Sequence, residues 1–194
     1  ELLGDMGAEV IKVESPQGEN IRSYEPGIDG ESFYYIVMNR NKKGMTLKYR
    51  SEEAKEVLTR LFRTADVIIQ NFKPGTLEKM GFGWEKIHEI NPRAILVSIS
   101  GYGQTGPMAG YPGFDFILQA LGGLMSLTGP ADGEPYLCGT FLIDYMTAAY
   151  ASFAVTTALW AREKTGKGQH VELSLINTAI SMLVDAVPEA LLLN

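Results

Sequence analysis

Among the residues able to do chemistry, one carboxylate stands out. Asp144 lies in Gly139-Thr140-Phe141-Leu142-Ile143-Asp144-Tyr145, near the start of a long stretch of small and apolar residues. A carboxylate at a helix start is stabilised by the helix dipole and by free backbone N–H groups. It is then either a reactive group or an ordinary helix-start aspartate, and position alone favours the ordinary one. Leu142, Ile143, Met146 and the alanines that follow argue the other way. They imply a partly desolvated setting, which is poor for a merely solvated cap.

Two loops offer anion-binding chemistry, and a third is glycine-rich. Asn39-Arg40-Asn41-Lys42-Lys43-Gly44 is short and basic. It can hold phosphate oxygens by charge-assisted hydrogen bonds, or be a solvated surface turn. Asn71-Phe72-Lys73-Pro74-Gly75 precedes a helix whose N–H groups can meet an anion. Phe72 can stack on a purine there, although a core phenylalanine is the commoner fate. Gly101-Tyr102-Gly103-Gln104-Thr105-Gly106-Pro107 is glycine-rich. It lacks the Gly-Lys-Ser/Thr ending of a P-loop and is not the Gly-x-Gly-x-x-Gly of a first βα turn. No Gly-x-Ser-x-Gly elbow occurs, which disfavours a serine hydrolase. His88 and His170 sit in no motif and are expected at the surface. With Cys138 they are too scattered in sequence for a zinc site.

These residues need elements to position them. Ala8 to Glu14 is short and β-branched, between Gly7 and the Ser15-Pro16-Gln17-Gly18 turn, and reads as a strand. Met45 to Tyr49, Asp66 to Asn71 and Ala94 to Ser100 read as three more. Ser51 is a plausible N-cap with Glu52 and Glu53 in the first turn, and Val57, Leu58, Leu61 and Phe62 repeat at helical spacing. A further helix is expected near Trp84 to Ile90, ended by Asn91-Pro92. The long apolar strands suit a parallel sheet buried on both faces. Their alternation with helices predicts an α/β protein with a Rossmann-like, open, mostly parallel sheet. In such sheets ligands collect beyond the carboxyl ends of the strands, which points to Glu14-Ser15, Asn71-Phe72 and Ser100-Gly101. The second half is more helical. A helix is expected within Phe114 to Leu127, and a long, largely buried one from Ile143 to Arg162, closed by Lys164-Thr165-Gly166-Lys167-Gly168. A strand through Val171 and Leu173 to Leu175 and a last helix from Ile176 follow.

The chain has 194 residues, enough for a good-sized domain with its own core. A net charge of -6 argues against nucleic acid, which needs a concentrated basic surface, but leaves room for a small anionic ligand. The lone cysteine excludes an intrachain disulfide and makes a reducing, cytoplasmic setting the natural expectation. No apolar run approaches the roughly 20 residues of a membrane span. The first residues read as a helix already under way and the last as one cut in mid-course. Residues 1–194 are therefore expected to be a section of a longer chain.

Taken in order, these segments resemble the family III CoA-transferases, which include formyl-CoA, carnitine and succinyl-CoA-dependent transferases. The match runs through Gly7-Ala8-Glu9-Val10-Ile11-Lys12-Val13-Glu14, Asn39-Arg40-Asn41-Lys42-Lys43, Ala65-Asp66-Val67 with Asn71-Phe72-Lys73-Pro74-Gly75, and Asn91-Pro92-Arg93. It continues through Ser98 to Pro107, Gly113-Phe114-Asp115, Gly122 to Gly129, and Lys164-Thr165-Gly166-Lys167-Gly168-Gln169. The resemblance implies that Asp144 is a catalytic nucleophile carrying CoA as an aspartyl thioester. It implies acyl-CoA and a small carboxylic acid as substrates, no metal, and an interlocked homodimer. By position, Ser15, Leu47, Arg50, Asn71, Phe72, Lys73 and Lys79 match residues that line the coenzyme A site. Some relatives carry arginine at the positions of Ser15 and Lys79; a lysine keeps the charge but loses the bidentate fork. Asp115 is either active-site support or structural. The 2-methylacyl-CoA racemases resemble the chain too, but have histidine between the glycine and aspartate of Gly113-Phe114-Asp115, where Phe114 cannot move a proton. A non-catalytic CoA-binding segment is the third reading. The small domain and the glycine-rich lid of relatives are expected outside this sequence.

Overall fold

The structure, a computed structural model, describes residues 1–49 and 51–193. They form two compact units, Glu1–Arg60 and Leu61–Asn194.

In the first unit, a short helix α1 (Leu2–Asp5) leads into strand β1 (Val10–Glu14). Strands β2 (Gly27–Ile28) and β3 (Glu31–Ser32) pair as a small antiparallel ribbon. Helix α2 (Phe33–Asn39) follows, its N-terminus capped by the Ser32 side chain. Strand β4 (Lys42–Thr46) then pairs parallel to β1, from Val10 opposite Lys42 to Glu14 opposite Thr46. The strand expected over Met45 to Tyr49 thus begins earlier, and Lys42 to Gly44 belong to the ladder rather than to a loop. The reason lies in the partner. β1 ends at Glu14 before its Ser15–Gly18 turn, so beyond Thr46 the ladder gives way to a bond from Leu47 N–H to the Glu14 carbonyl (2.8 Å) and one from the Tyr49 hydroxyl to the Val13 carbonyl (2.9 Å). Helix α3 (Glu52–Thr64) starts as expected, with the Ser51 hydroxyl accepting from the Ala54 N–H. Ala54, Leu58 and Phe62 form its buried stripe.

The second unit is built on three parallel strands in the order β5 (Val67–Gln70), β6 (Ile95–Ser100), β7 (His170–Ser174). Between β5 and β6 lie α4 (Thr76–Lys79) and α5 (Trp84–Ile90). Asn91 closes α5 by donating to the Phe62 and Ala65 carbonyls, both at 3.0 Å. Between β6 and β7 run α6 (Asp115–Leu121), a 3-10 turn (Leu124–Leu127) and α7 (Leu142–Thr165). Helices α8 (Leu175–Ser181) and α9 (Ala186–Leu192) end the chain. The class is therefore α/β, with parallel strands and flanking helices, as expected.

Burial corrects several details. Only the central strand fits a sheet covered on both faces: Ala94 to Ser98 are buried without a gap, whereas Ile11 in β1 and Ile69 in β5 are exposed. The helix expected within Phe114 to Leu127 is found as α6, which stops before Gly122-Gly123, where Gly123 takes φ +90°. Helix α7 runs slightly longer than expected and ends on Gly166 at φ +73°, the left-handed cap expected there. It is not largely buried. Ile143, Thr147, Ala151, Val155, Ala158 and Arg162 make one buried stripe at helical spacing, while Phe153 and Trp160 on other faces are 72% and 67% exposed. Among the described residues no single helix is long and apolar enough to cross a membrane.

Candidate active site around Asp144

Helix α7 presents Asp144 in its first turn. Two things hold that end. Ile143 is fully buried in a cluster with Leu118, Leu175 and Ala179, which seats the helix on α6 and α8. The second is a carboxylate from another helix. Position 141, the N-cap, makes no side-chain cap bond, and the Asp115 Oδ2 atom accepts the Asp144 backbone N–H at 2.9 Å instead. One of the helix's orphan amides is thereby satisfied from α6, and the acidic group lies at the positive end of the α7 dipole.

Asp115 is itself positioned by a close backbone crossing. A Cβ on Gly101, just after β6, would sit 2.6 Å from the Gly113 Cα, and one on Gly113 would sit 2.5 Å from the Gly101 Cα. Only two glycines let the chain entering α6 lie directly on the chain leaving β6. The Gly101 carbonyl also accepts from the Ile176 N–H at the start of α8 (3.0 Å). The glycine-rich segment thus works as a packing joint between β6, α6 and α8.

The Asp144 carboxylate is pushed up from its usual value to about 6, first by desolvation and then by the negative charge of Asp115. By surface area the side chain is exposed. Its desolvation therefore comes from protein atoms crowding it, not from sealing it off. Asp144 remains mostly ionised at neutral pH, and its raised basicity makes it a better nucleophile than a solvated aspartate.

The expected coenzyme A contacts fall at strand ends in both units. In the first, Ser15 and Leu47 lie together just past the carboxyl ends of β1 and β4, each half-buried. The Ser15 hydroxyl donates to the Gly18 carbonyl (3.1 Å). Beside it, Glu14 is gripped by Arg22 (2.8 and 3.0 Å) and by the Tyr35 hydroxyl (2.9 Å), and the guanidinium holds its carboxyl below the usual range. Arg50 lies outside the described residues. In the second unit, Asn71 and Lys73 are exposed past the carboxyl end of β5, Phe72 is half-buried between them, and Lys79 is exposed at the end of α4. Phe114, at the N-cap of α6, is 65% exposed.

Two polar groupings escaped the sequence reading. Gln119, fully buried on α6, donates to Asp115 and to the Thr140 carbonyl and accepts from the Cys138 N–H. Its signal was a polar residue four positions after an aspartate in an otherwise apolar helix. The second runs across the sheet. Gln70 accepts the Phe72 N–H (2.7 Å) and donates to Ser98 Oγ (2.9 Å), which lies 2.9 Å from His170 Nε2. His170 and His88 are half-buried beside Trp84, not at the surface as expected. His88 lies in the last turn of α5 and His170 at the start of β7, neither within a motif, so only the fold reveals the contact.

The chain belongs to the CoA-transferase family III, whose model matches residues 1–194. It is 39% identical over 188 residues to the acetyl-CoA:oxalate CoA-transferase of Acetobacter aceti, covering 96% of this chain and 48% of that protein. To the human succinyl-CoA:glutarate CoA-transferase it is 41% identical over 183 residues, covering 93% of this chain and 42% of the relative. A CAIB/BAIF family protein from Brucella suis superposes with a TM-score of 0.93 at 40% identity, over 99% of this chain and 52% of that one. The chain spans about half the length of the curated relatives it matches.

Proposed function

We propose that the protein to which this chain belongs transfers coenzyme A from an acyl-CoA donor to a carboxylic acid, with Asp144 as the covalent carrier. The observation that carries the reading is the setting of Asp144: a helix-start carboxylate, crowded and raised to about 6, with its backbone fixed by Asp115. Family membership supports CoA transfer as the reaction class.

The chemistry closes without ATP. The Asp144 carboxylate attacks the thioester carbonyl, the C–S bond breaks, and a mixed anhydride and CoA thiolate form. The thiolate attacks the aspartyl carbonyl, releasing the donor acid and leaving an aspartyl-CoA thioester. The acceptor carboxylate then repeats both steps in reverse and frees Asp144. Each tetrahedral oxyanion needs nearby N–H donors, and water must be kept from the anhydride. Phe114 has no ionisable group, which favours transfer over racemisation at this site.

Ser15, Leu47, Arg50, Asn71, Phe72, Lys73 and Lys79 are the proposed coenzyme A contacts. Asn71, Lys73 and Lys79 are exposed and carry donors suited to phosphate and amide oxygens. Ser15 would first have to turn its hydroxyl away from Gly18. An interlocked homodimer in the cytoplasm, with this chain as part of the large domain, completes the proposal. In the full-length protein, Asp144→Ala should remove CoA transfer between any donor and acceptor pair the wild type accepts, by about a thousandfold or more. Full turnover by Asp144→Ala would refute the covalent role.

A further inference from the structure

We propose that Gln119 is a positioning residue for the reactive carboxylate, fixing the start of α7 through Asp115 and through the segment that precedes the helix. This rests on the reading of Asp144 as the nucleophile. Gln119 is fully buried, and its amide has one possible orientation. The Cys138 N–H can only donate, so the atom 2.9 Å from it is Oε1. The Thr140 carbonyl can only accept, so the atom 3.1 Å from it is Nε2, which also meets Asp115 Oδ1 at 2.5 Å. Asp115 then spends its other oxygen on the Asp144 N–H.

One side chain therefore holds three points around the nucleophile. It ties down Cys138 and Thr140, the run-in to the helix. It also orients the carboxylate that clamps Asp144's own amide. Gln119 and Asp115 are both buried, where a lost partner is costly. Gln119 touches no reacting atom, so its effect must appear as geometry at Asp144.

The test uses the full-length protein with an acyl-CoA donor and acid acceptor it turns over. Gln119→Met keeps the volume and removes every bond. Gln119→Glu keeps Oε1 on the Cys138 N–H and sets an anion against Asp115 and the Thr140 carbonyl. Both should lower kcat by about 10- to 100-fold, the cost of misplacing a catalytic group by roughly an ångström, with KM for acyl-CoA within about twofold. In the wild type, hydrogen exchange should find the Asp144 amide protected, unlike an open first-turn amide. That measurement needs no variant. Wild-type kcat in a folded variant, or a freely exchanging Asp144 amide, would overturn the proposal. Activity retained by Asp144→Asn would instead overturn the nucleophile reading, whatever Gln119 does.

Discussion

At the residue scale the account turns on two carboxylates with different tasks. Asp115 is buried and accepts two N–H donors, while Asp144 is crowded and raised to about 6. A group with a raised pKa is protonated and inert below it and ionised above it. The acidic limb of kcat/KM against pH for the full-length enzyme should therefore lie near about 6, with activity rising through it. Asp115→Asn removes one of the two causes and should move that limb to lower pH. A limb near about 4 in the wild type, the ordinary aspartate value, would contradict the assignment. The position of Asp144 was legible in the sequence because helix starts leave local signs. Its partial desolvation was legible too, from its apolar neighbours, but the added charge of Asp115 was not, since that partner lies 29 residues away.

At the scale of elements, α7 is held at both ends. Asp115 meets its start, and at its far end Arg162 donates to Asp66 (2.8 Å) and to the Arg93 carbonyl (3.2 Å), next to the starts of β5 and β6. Between them the buried stripe packs against the second unit's core. The tightest joint is the Gly101–Gly113 crossing, where Gly113→Ala puts a methyl 2.5 Å from a backbone carbon that cannot move aside like a flexible side chain. We expect Gly113→Ala to cost about 1–3 kcal/mol in chemical denaturation, as overpacking does. An unchanged midpoint and slope would show that the crossing opens freely. The parallel strands and most helices were read from apolar runs and punctuation; the short β2–β3 ribbon and α2 were not. The misplaced β4 shows the limit: Met45 to Tyr49 has the better local pattern, but the length of its parallel partner decides which residues pair.

At the scale of the molecule, the chain carries the proposed nucleophile and spans about half of each matched relative. Motifs in sequence order conveyed the family, and the fold agrees with it. The donor and acceptor acids are matters for the full-length protein, since acid selection needs the whole substrate site. The most direct measurement is therefore a trap on that protein. Incubated with an acyl-CoA it accepts and then with hydroxylamine, an aspartyl thioester becomes a hydroxamate and CoA is released; borohydride reduces the same thioester to an alcohol. Peptide mass analysis should find the modification on Asp144, dependent on acyl-CoA. Continued CoA transfer with an unmodified Asp144 peptide would contradict the account.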